Sequence, residues 1–479
     1  MVFSSVIFIF YFLPVFLLGY YLSGWRTGAL LAGSAIFYTW GEGPYLFLLM
    51  GLIGLNYAGA RWLDAQDDRR RRRLALGLLI GVDLAVLGWF KYAGFFFANL
   101  NAVLPGEPLP PIDPRLPLGI SFFTFQLISY LFDVHRRQVE VERDLGRFAT
   151  YILMFPHLIA GPIVRFAQIR DELHADRRKT GRIGLGIQYF IVGLCQKVLI
   201  ANSVAPLADH AFGIAPGALD AGTAWLGMLA YTLQIYFDFC GYSNMAIGLA
   251  FMLGFTFPKN FDYPYMARSV TEFWRRWHIA LSTWFRDYVY IPLGGNRAGS
   301  SKTVRNLLIV FLLTGFWHGA AWNFIVWGLF HGGFLLIERF WLGRILERLP
   351  RAVAIGYTML AVMAAWVLFR AEGLGEALRY WGALVDPAGF KPLPIGTQVV
   401  LNNQVLAAVA LGCVFAYPAL PWIMERVGAT RLPHSTAIEP RLDTQAVHVL
   451  PTPLLIVGLV LSIAILAGSS LNPFLYFRF

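Results

Sequence analysis

Runs of apolar residues long enough to cross a bilayer recur along almost the whole chain, and no other feature limits the fold so severely. They lie near residues 3–22, 28–41 with 44–63, 74–99, 116–133, 183–204, 222–254, 304–341, 352–370, 398–424 and 451–470. A helix of about 20 apolar residues spans the hydrocarbon core. In lipid every backbone polar group needs a partner within the protein, so such runs must be helical. The expected fold is an all-α polytopic membrane protein of about 10 to 13 spans, forming one integral membrane domain over residues 1–479. Composition agrees: 57% of residues are hydrophobic and 14% charged, against about 25% charged in soluble proteins. The longest polar stretch, 425–450, is too short and too interrupted by proline to bury a core of its own.

The net charge of +11 does not indicate nucleic acid. The basic residues sit in short segments between apolar runs: Arg61 with Arg69 to Arg73, then Arg136, Arg137, Arg143 and Arg147, then 177–182, then Lys259 to Arg305. This is the positive-inside pattern of cytoplasmic loops. Met1 to Leu22 lacks a positive leader and a cleavage signature, so it is expected to stay as a first membrane helix with the N-terminus outside. If the loops on either side are cytoplasmic, the stretch from Tyr151 to Val164, with Pro156, Gly161 and Pro162, must be re-entrant and enclosed by protein. The Pro-rich segment from Leu104 to Pro117 is expected to be a short external loop. Cys195, Cys240 and Cys413 are scattered without metal-ligand spacing and are expected to be buried apolar groups; no metal site is expected.

Of nine histidines, His278, His318 and His331 stand out, because ionisable groups at membrane depth are costly and tend to be functional. His318 lies in Thr-Gly-Phe-Trp-His-Gly-Ala-Ala-Trp-Asn, residues 314–323, and no Lys, Arg, Asp or Glu occurs between Arg305 and Glu338. Apolar surroundings favour the neutral imidazole, which is the form a general base needs. Gly315 and Gly319 remove bulk beside it, for a substrate or for another backbone. The same residues also suit a histidine that hydrogen-bonds across helices, and the residues alone leave both readings open. The run 304–341 is too long for one span, so a helix break near His318 and Gly319 is expected. His331, in Trp-Gly-Leu-Phe-His-Gly, repeats the pattern 13 residues later. On a continuous helix it would face roughly the other way, so a supporting or packing role is expected for it.

Phe273 to Tyr288 has Trp274, Trp277, Leu281, Trp284 and Tyr288 at three- and four-residue steps, with Arg275, Arg276 and Arg286 off that stripe. This predicts one amphipathic helix anchored in the headgroup layer. Its arginines are candidates for holding the phosphates of an acyl donor, and His278 for lining the way in. No HExxH, phosphate-loop, GxSxG or dinucleotide-binding motif competes.

Several segments together resemble the membrane-bound O-acyltransferase family, in its bacterial alginate-acetylation branch. They include Pro117-Leu-Gly-Ile-Ser-Phe-Phe-Thr-Phe-Gln, Phe155-Pro-His-Leu-Ile-Ala-Gly-Pro-Ile, Gln234-Ile-Tyr-Phe-Asp-Phe-Cys-Gly-Tyr-Ser and Asn260-Phe-Asp-Tyr-Pro-Tyr. The most specific are Phe273-Trp-Arg-Arg-Trp-His, Tyr290-Ile-Pro-Leu-Gly-Gly-Asn-Arg and Phe316-Trp-His-Gly-Ala-Ala-Trp-Asn, and the terminal Asn472-Pro-Phe-Leu-Tyr-Phe-Arg-Phe also fits.

The resemblance implies a ring of membrane helices, with re-entrant and interfacial pieces, around a central funnel. It implies that His318 is the family's central histidine and His278 its second, more cytoplasmic one. Arg275, Arg276, Trp317 and Asn323 are expected to bind substrate, with Asn323 or a backbone N–H freed by the helix break as the oxyanion donor. The implied activity is membrane O-acetyl transfer for an exopolysaccharide such as alginate, in the bacterial cytoplasmic (inner) membrane. Acetyl-CoA would be the cytoplasmic donor, with no bound cofactor, and periplasmic acetyltransferase proteins would be partners that carry the group to the polysaccharide. Peptidoglycan, cellulose or teichoic acid D-alanylation are alternative acceptors or reactions. A small-solute transporter is the rival of another class; against it stand the expected lack of intramembrane charge pairs and of a visible repeat.

Overall fold

The structure is a computed structural model that describes residues 2–106, 109–175, 182–215, 217–297, 299–428, 431–433 and 446–468. The terminal Asn472-Pro motif, most of the basic segment 177–182 and most of the polar stretch 425–450 lie outside the described residues. Among the described residues, the regular structure is helical apart from two three-residue strands, Arg431–Pro433 and Ala446–His448. A π-helical turn, Phe8–Phe12, runs into α1 (Leu13–Leu22). There follow α2 (Arg26–Glu42), α3 (Tyr45–Asp64), α4 (Arg69–Asn101), α5 (Ile120–His135), α6 (Leu145–Leu153), α7 (Phe155–Leu158) and α8 (Phe166–His174). Next come α9 (Ile183–Cys195), α10 (Ser203–Gly213), α11 (Ala221–Met252), α12 (Val270–Arg276), α13 (Ile279–Phe285), α14 (Ser300–His318) and α15 (Trp322–Ile337). The last are α16 (Gly343–Arg348), α17 (Arg351–Arg370), α18 (Leu374–Val385), α19 (Ile395–Val400), α20 (Asn403–Ala416), α21 (Ala419–Arg426) and α22 (Thr452–Gly468).

Among the described residues, five helices are long and apolar enough to cross a membrane, or six if the bent pair α20–α21 counts as one span. This is fewer than the apolar runs suggested, because several runs do not stay in one straight helix. The 116–133 run yields only the 16-residue α5, and the 398–424 run bends by 67° between α20 and α21. Large apolar side chains nevertheless face outward, among them Phe47, Leu78, Trp89, Phe96, Ile456 and Val460. A soluble surface would not expose them in such number. The protein is a multi-pass membrane protein.

The chain divides into two compact units. The first comprises residues 1–190, 245–258 and 433–446. In it the arginines expected in a loop begin α4: Asp68 caps the helix by accepting from the Arg71 N–H at 2.8 Å. Arg72 is buried, and its guanidinium donates to the carbonyls of Val134 at 2.7 Å and His135 at 3.3 Å. It therefore adds a donor to carbonyls at the end of α5. The stretch from Tyr151 to Val164 forms no spanning helix. It is α6 and α7, broken at Met154, followed by irregular backbone, and it is buried throughout. Gly119 explains how α5 lies against it. Its φ is +77°, and a Cβ there would stand 2.3 Å from the Leu158 carbonyl oxygen, so only glycine fits.

The second unit comprises residues 191–244, 259–432 and 447–479. It contains a buried ion pair, Lys197 with Asp238, inside the candidate span Ile183–Gly213 and α11. No intramembrane charge pair was expected from the sequence, because the two residues are 41 apart and only the packing of these helices joins them. α14 and α15 turn back on each other through Gly319–Ala321. At their crossing a Cβ on Gly315 would meet the Phe324 carbonyl oxygen at 2.2 Å, and one on Gly328 the Phe311 carbonyl oxygen at 2.2 Å. The backbones touch there, as small residues allow between membrane helices.

Candidate active site

All of the candidate residues lie in the second unit. His318 is the last residue of α14 and is buried. The close crossing of α14 and α15 sets its ring edge-on to Trp327, centroids 4.9 Å apart, with Phe369 of α17 at 5.2 Å. Of the two uses foreseen for the flanking glycines, Gly315 admits a backbone, while Gly319 admits the Phe324 ring, 2.3 Å from where a Cβ would stand.

Because the helix breaks after His318, His331 does not face away. It contacts the same Trp327 at 4.9 Å and stacks beside Phe273 at 6.2 Å. The 13-residue phase argument held only for a continuous helix. Trp317 is buried and links outward in the other direction, 4.9 Å from His318 and 6.1 Å from His278. The rings thus form a chain from His278 through Trp317, His318 and Trp327 to His331.

The segment Phe273–Tyr288 is not one interfacial helix. It breaks between α12 and α13 at His278, whose φ is +44°. A left-handed non-glycine residue costs about 1–3 kcal/mol and persists only when its surroundings hold it. Trp274, Trp277, Leu281, Trp284 and Tyr288 are all buried, so the aromatic stripe is core. Its spacing runs unbroken through a break that backbone contacts impose. Those contacts come from Asn260-Phe-Asp-Tyr: the Ile279 N–H donates to the Asn260 carbonyl and the Asp262 N–H to the Arg276 carbonyl, both at 2.9 Å. Burial pushes the His278 imidazole well below the usual histidine range, to about 3, so the ring is neutral.

The two arginines of α12 separate. Arg276 is held by Glu272 at 2.8 Å and Asp262 at 3.5 Å. Arg275 is exposed and enters no ion pair among the described residues. The start of α12 is fixed by Glu338, whose carboxylate accepts from the N–H groups of Val270 at 2.6 Å and Thr271 at 2.8 Å. Asn323 is buried at the start of α15, and its amide donates to the carbonyls of Leu368 at 3.1 Å and Ala371 at 2.9 Å. Both of its hydrogens serve the end of α17. Sequence reasoning passed over Glu338 and Trp327; an acid closing a long charge-free run was the one signal available for Glu338.

The sequence profile of the membrane-bound O-acyltransferase family matches residues 7–369. The chain belongs to this family. It is 42% identical to the probable alginate O-acetylase AlgI of Pseudomonas putida, over the full length of both chains. It is 36% identical to the peptidoglycan O-acetyltransferase of Helicobacter pylori, over 81% of this chain and 80% of that one. It is 32% identical to the teichoic acid D-alanyltransferase of Streptococcus thermophilus, over 47% of this chain and 57% of that one. Membership in the family, with these relatives, makes this membrane protein an O-acyltransferase.

Proposed function

We propose that this O-acyltransferase takes an acetyl group from a cytoplasmic thioester, acetyl-CoA, and delivers it across the bacterial cytoplasmic membrane for O-acetylation of an exopolysaccharide such as alginate. The observation that carries this reading is His318, a buried imidazole at a helix break, walled by Trp317, Trp327 and Phe369. The full-length likeness to an alginate O-acetylase supports the choice of polymer. As base, a neutral His318 takes the proton of the acceptor hydroxyl while its oxygen attacks the thioester carbonyl. The C–S bond then breaks, and the thiolate leaves with the proton returned by the imidazolium. A positioned base of this kind contributes roughly 10²- to 10⁴-fold. As acyl carrier, the same ring would hold the group between two half-reactions; a burst of label bound to protein before acceptor is added distinguishes the two.

On the donor side, Arg275 has a guanidinium open to a phosphate, whereas Arg276 is engaged by carboxylates. Partner proteins outside the membrane would carry the group onward to the polymer. The test is incubation of the reconstituted protein with radiolabelled acetyl-CoA and acceptor, followed by mass spectrometry of envelope polymers in cells with and without the gene. Acetyl lost from exopolysaccharide is the expected result. Acetyl lost from peptidoglycan, or D-alanine lost from teichoic acid, would redirect the reading to the reactions that relatives are named for. Solute flux without acyl transfer would overturn it.

A further inference from the structure

His278 occupies the break between α12 and α13, and one side chain governs its chemistry. Asn260 Oδ1 accepts the backbone N–H of Ala280 at 3.2 Å, while its Nδ2 donates to Ser243 Oγ at 3.0 Å. A backbone N–H has only a donor role, so Asn260 must present oxygen, not nitrogen, on that side. The His278 Nδ1 lies 3.1 Å from the same Oδ1. An oxygen already accepting cannot donate, so Nδ1 must carry the proton. In the neutral ring the proton is then absent from Nε2. Nε2 is buried and meets no hydrogen-bond partner among the described residues. A buried polar atom in that state calls for an explanation: an ordered water, or a ligand or reaction that uses it.

We propose that Asn260 is the positioning residue of His278: it fixes the Nδ1–H tautomer, so that the ring offers a bare Nε2 as acceptor to a donor group of the substrate, a hydroxyl above all. His278 then does not serve as a hydrogen-bond donor to an oxyanion. This assignment complements the position of the ring, 6.1 Å between centroids from Trp317, the residue that adjoins His318. It also gives a reason for the strained backbone at His278. The left-handed turn brings Ala280 N–H and the imidazole onto one oxygen, where a helix continuing through residue 278 would keep the Ala280 N–H for its own carbonyl ladder.

The proposal rests on the acyl-transfer reading for its purpose, but the tautomer can be measured without any turnover. Protein labelled with ¹⁵N-histidine, compared with a His278→Gln variant in lipid, isolates the His278 resonances by solid-state NMR. The expected spectrum has a protonated Nδ1 and an unprotonated Nε2. A protonated Nε2, or a doubly protonated ring at neutral pH, would overturn the proposal whatever the enzyme transfers. Asn260→Asp keeps an acceptor for both Ala280 and His278, so it should retain the tautomer and keep kcat within about threefold. Asn260→Leu removes that acceptor, so the resonances should move toward the other tautomer and kcat fall at least tenfold, with the donor KM little changed. If Asn260→Asp loses as much activity as Asn260→Leu while both remain folded, Asn260 is structural only. If transfer is absent in the wild type but the tautomer is as expected, the functional reading fails and the assignment of the ring stands.

Discussion

At the scale of single residues, neighbouring side chains of one type have different roles. Arg275 and Arg276 are adjacent, yet among the described residues only Arg276 is bound by carboxylates. Arg275→Ala is therefore expected to raise the donor KM several-fold without lowering stability, whereas Arg276→Ala should lower stability by about 1 kcal/mol or less, as for a partly exposed pair. Donor-saturation kinetics and thermal melts in detergent check the two. The Glu272 carboxyl is raised by burial but held below its ordinary range on balance by the Arg268 N–H and by Arg276. Its contribution is thus present above the ordinary carboxylate range and lost as pH falls through the depressed value. A pH-dependent melt should show this loss in the wild type and not in Glu272→Gln. The sequence marked both arginines equally, because charge and spacing carry no record of Asp262, which reaches Arg276 only through the fold.

At the scale of elements, the two breaks that shape the site differ in how they are written. The turn after His318 was legible: an apolar run too long for one span, with glycines at 315, 319, 328 and 332, has to divide. The break at His278 was not, because its aromatic stripe keeps helical spacing on both sides and the force that bends it comes from Asn260 and Asp262, distant in sequence. Gly328→Ala is expected to destabilise the protein by about 1–3 kcal/mol, since its Cβ would press on the Phe311 carbonyl. It should also slow transfer by displacing Trp327 from His318. Glu338→Ala leaves the Val270 and Thr271 N–H groups without their acceptor, at a cost of about 1–3 kcal/mol. A melt at which activity and helicity are lost together would support both predictions, and unchanged melting would contradict them.

For the whole molecule, composition and apolar runs were enough to specify a helical membrane protein, and family motifs single out His318 as the candidate for its centre. They were not enough for the number of straight spans or for the buried polar contacts. Lys197 with Asp238 is the clearest of these. Breaking such a pair from one side is expected to cost about 3–5 kcal/mol, so Lys197→Met alone should be poorly stable, and Lys197→Met with Asp238→Asn should recover much of the loss. A double-mutant cycle on unfolding in lipid measures this. In the proposed reaction, acyl transfer runs through the imidazole at the α14–α15 break. The direct measurement is the rate of labelled acetyl transfer to acceptor by reconstituted wild type and His318→Ala, matched for insertion and melting temperature. A fall of at least about 10²-fold is expected for the variant; equal rates in the two proteins would contradict the account.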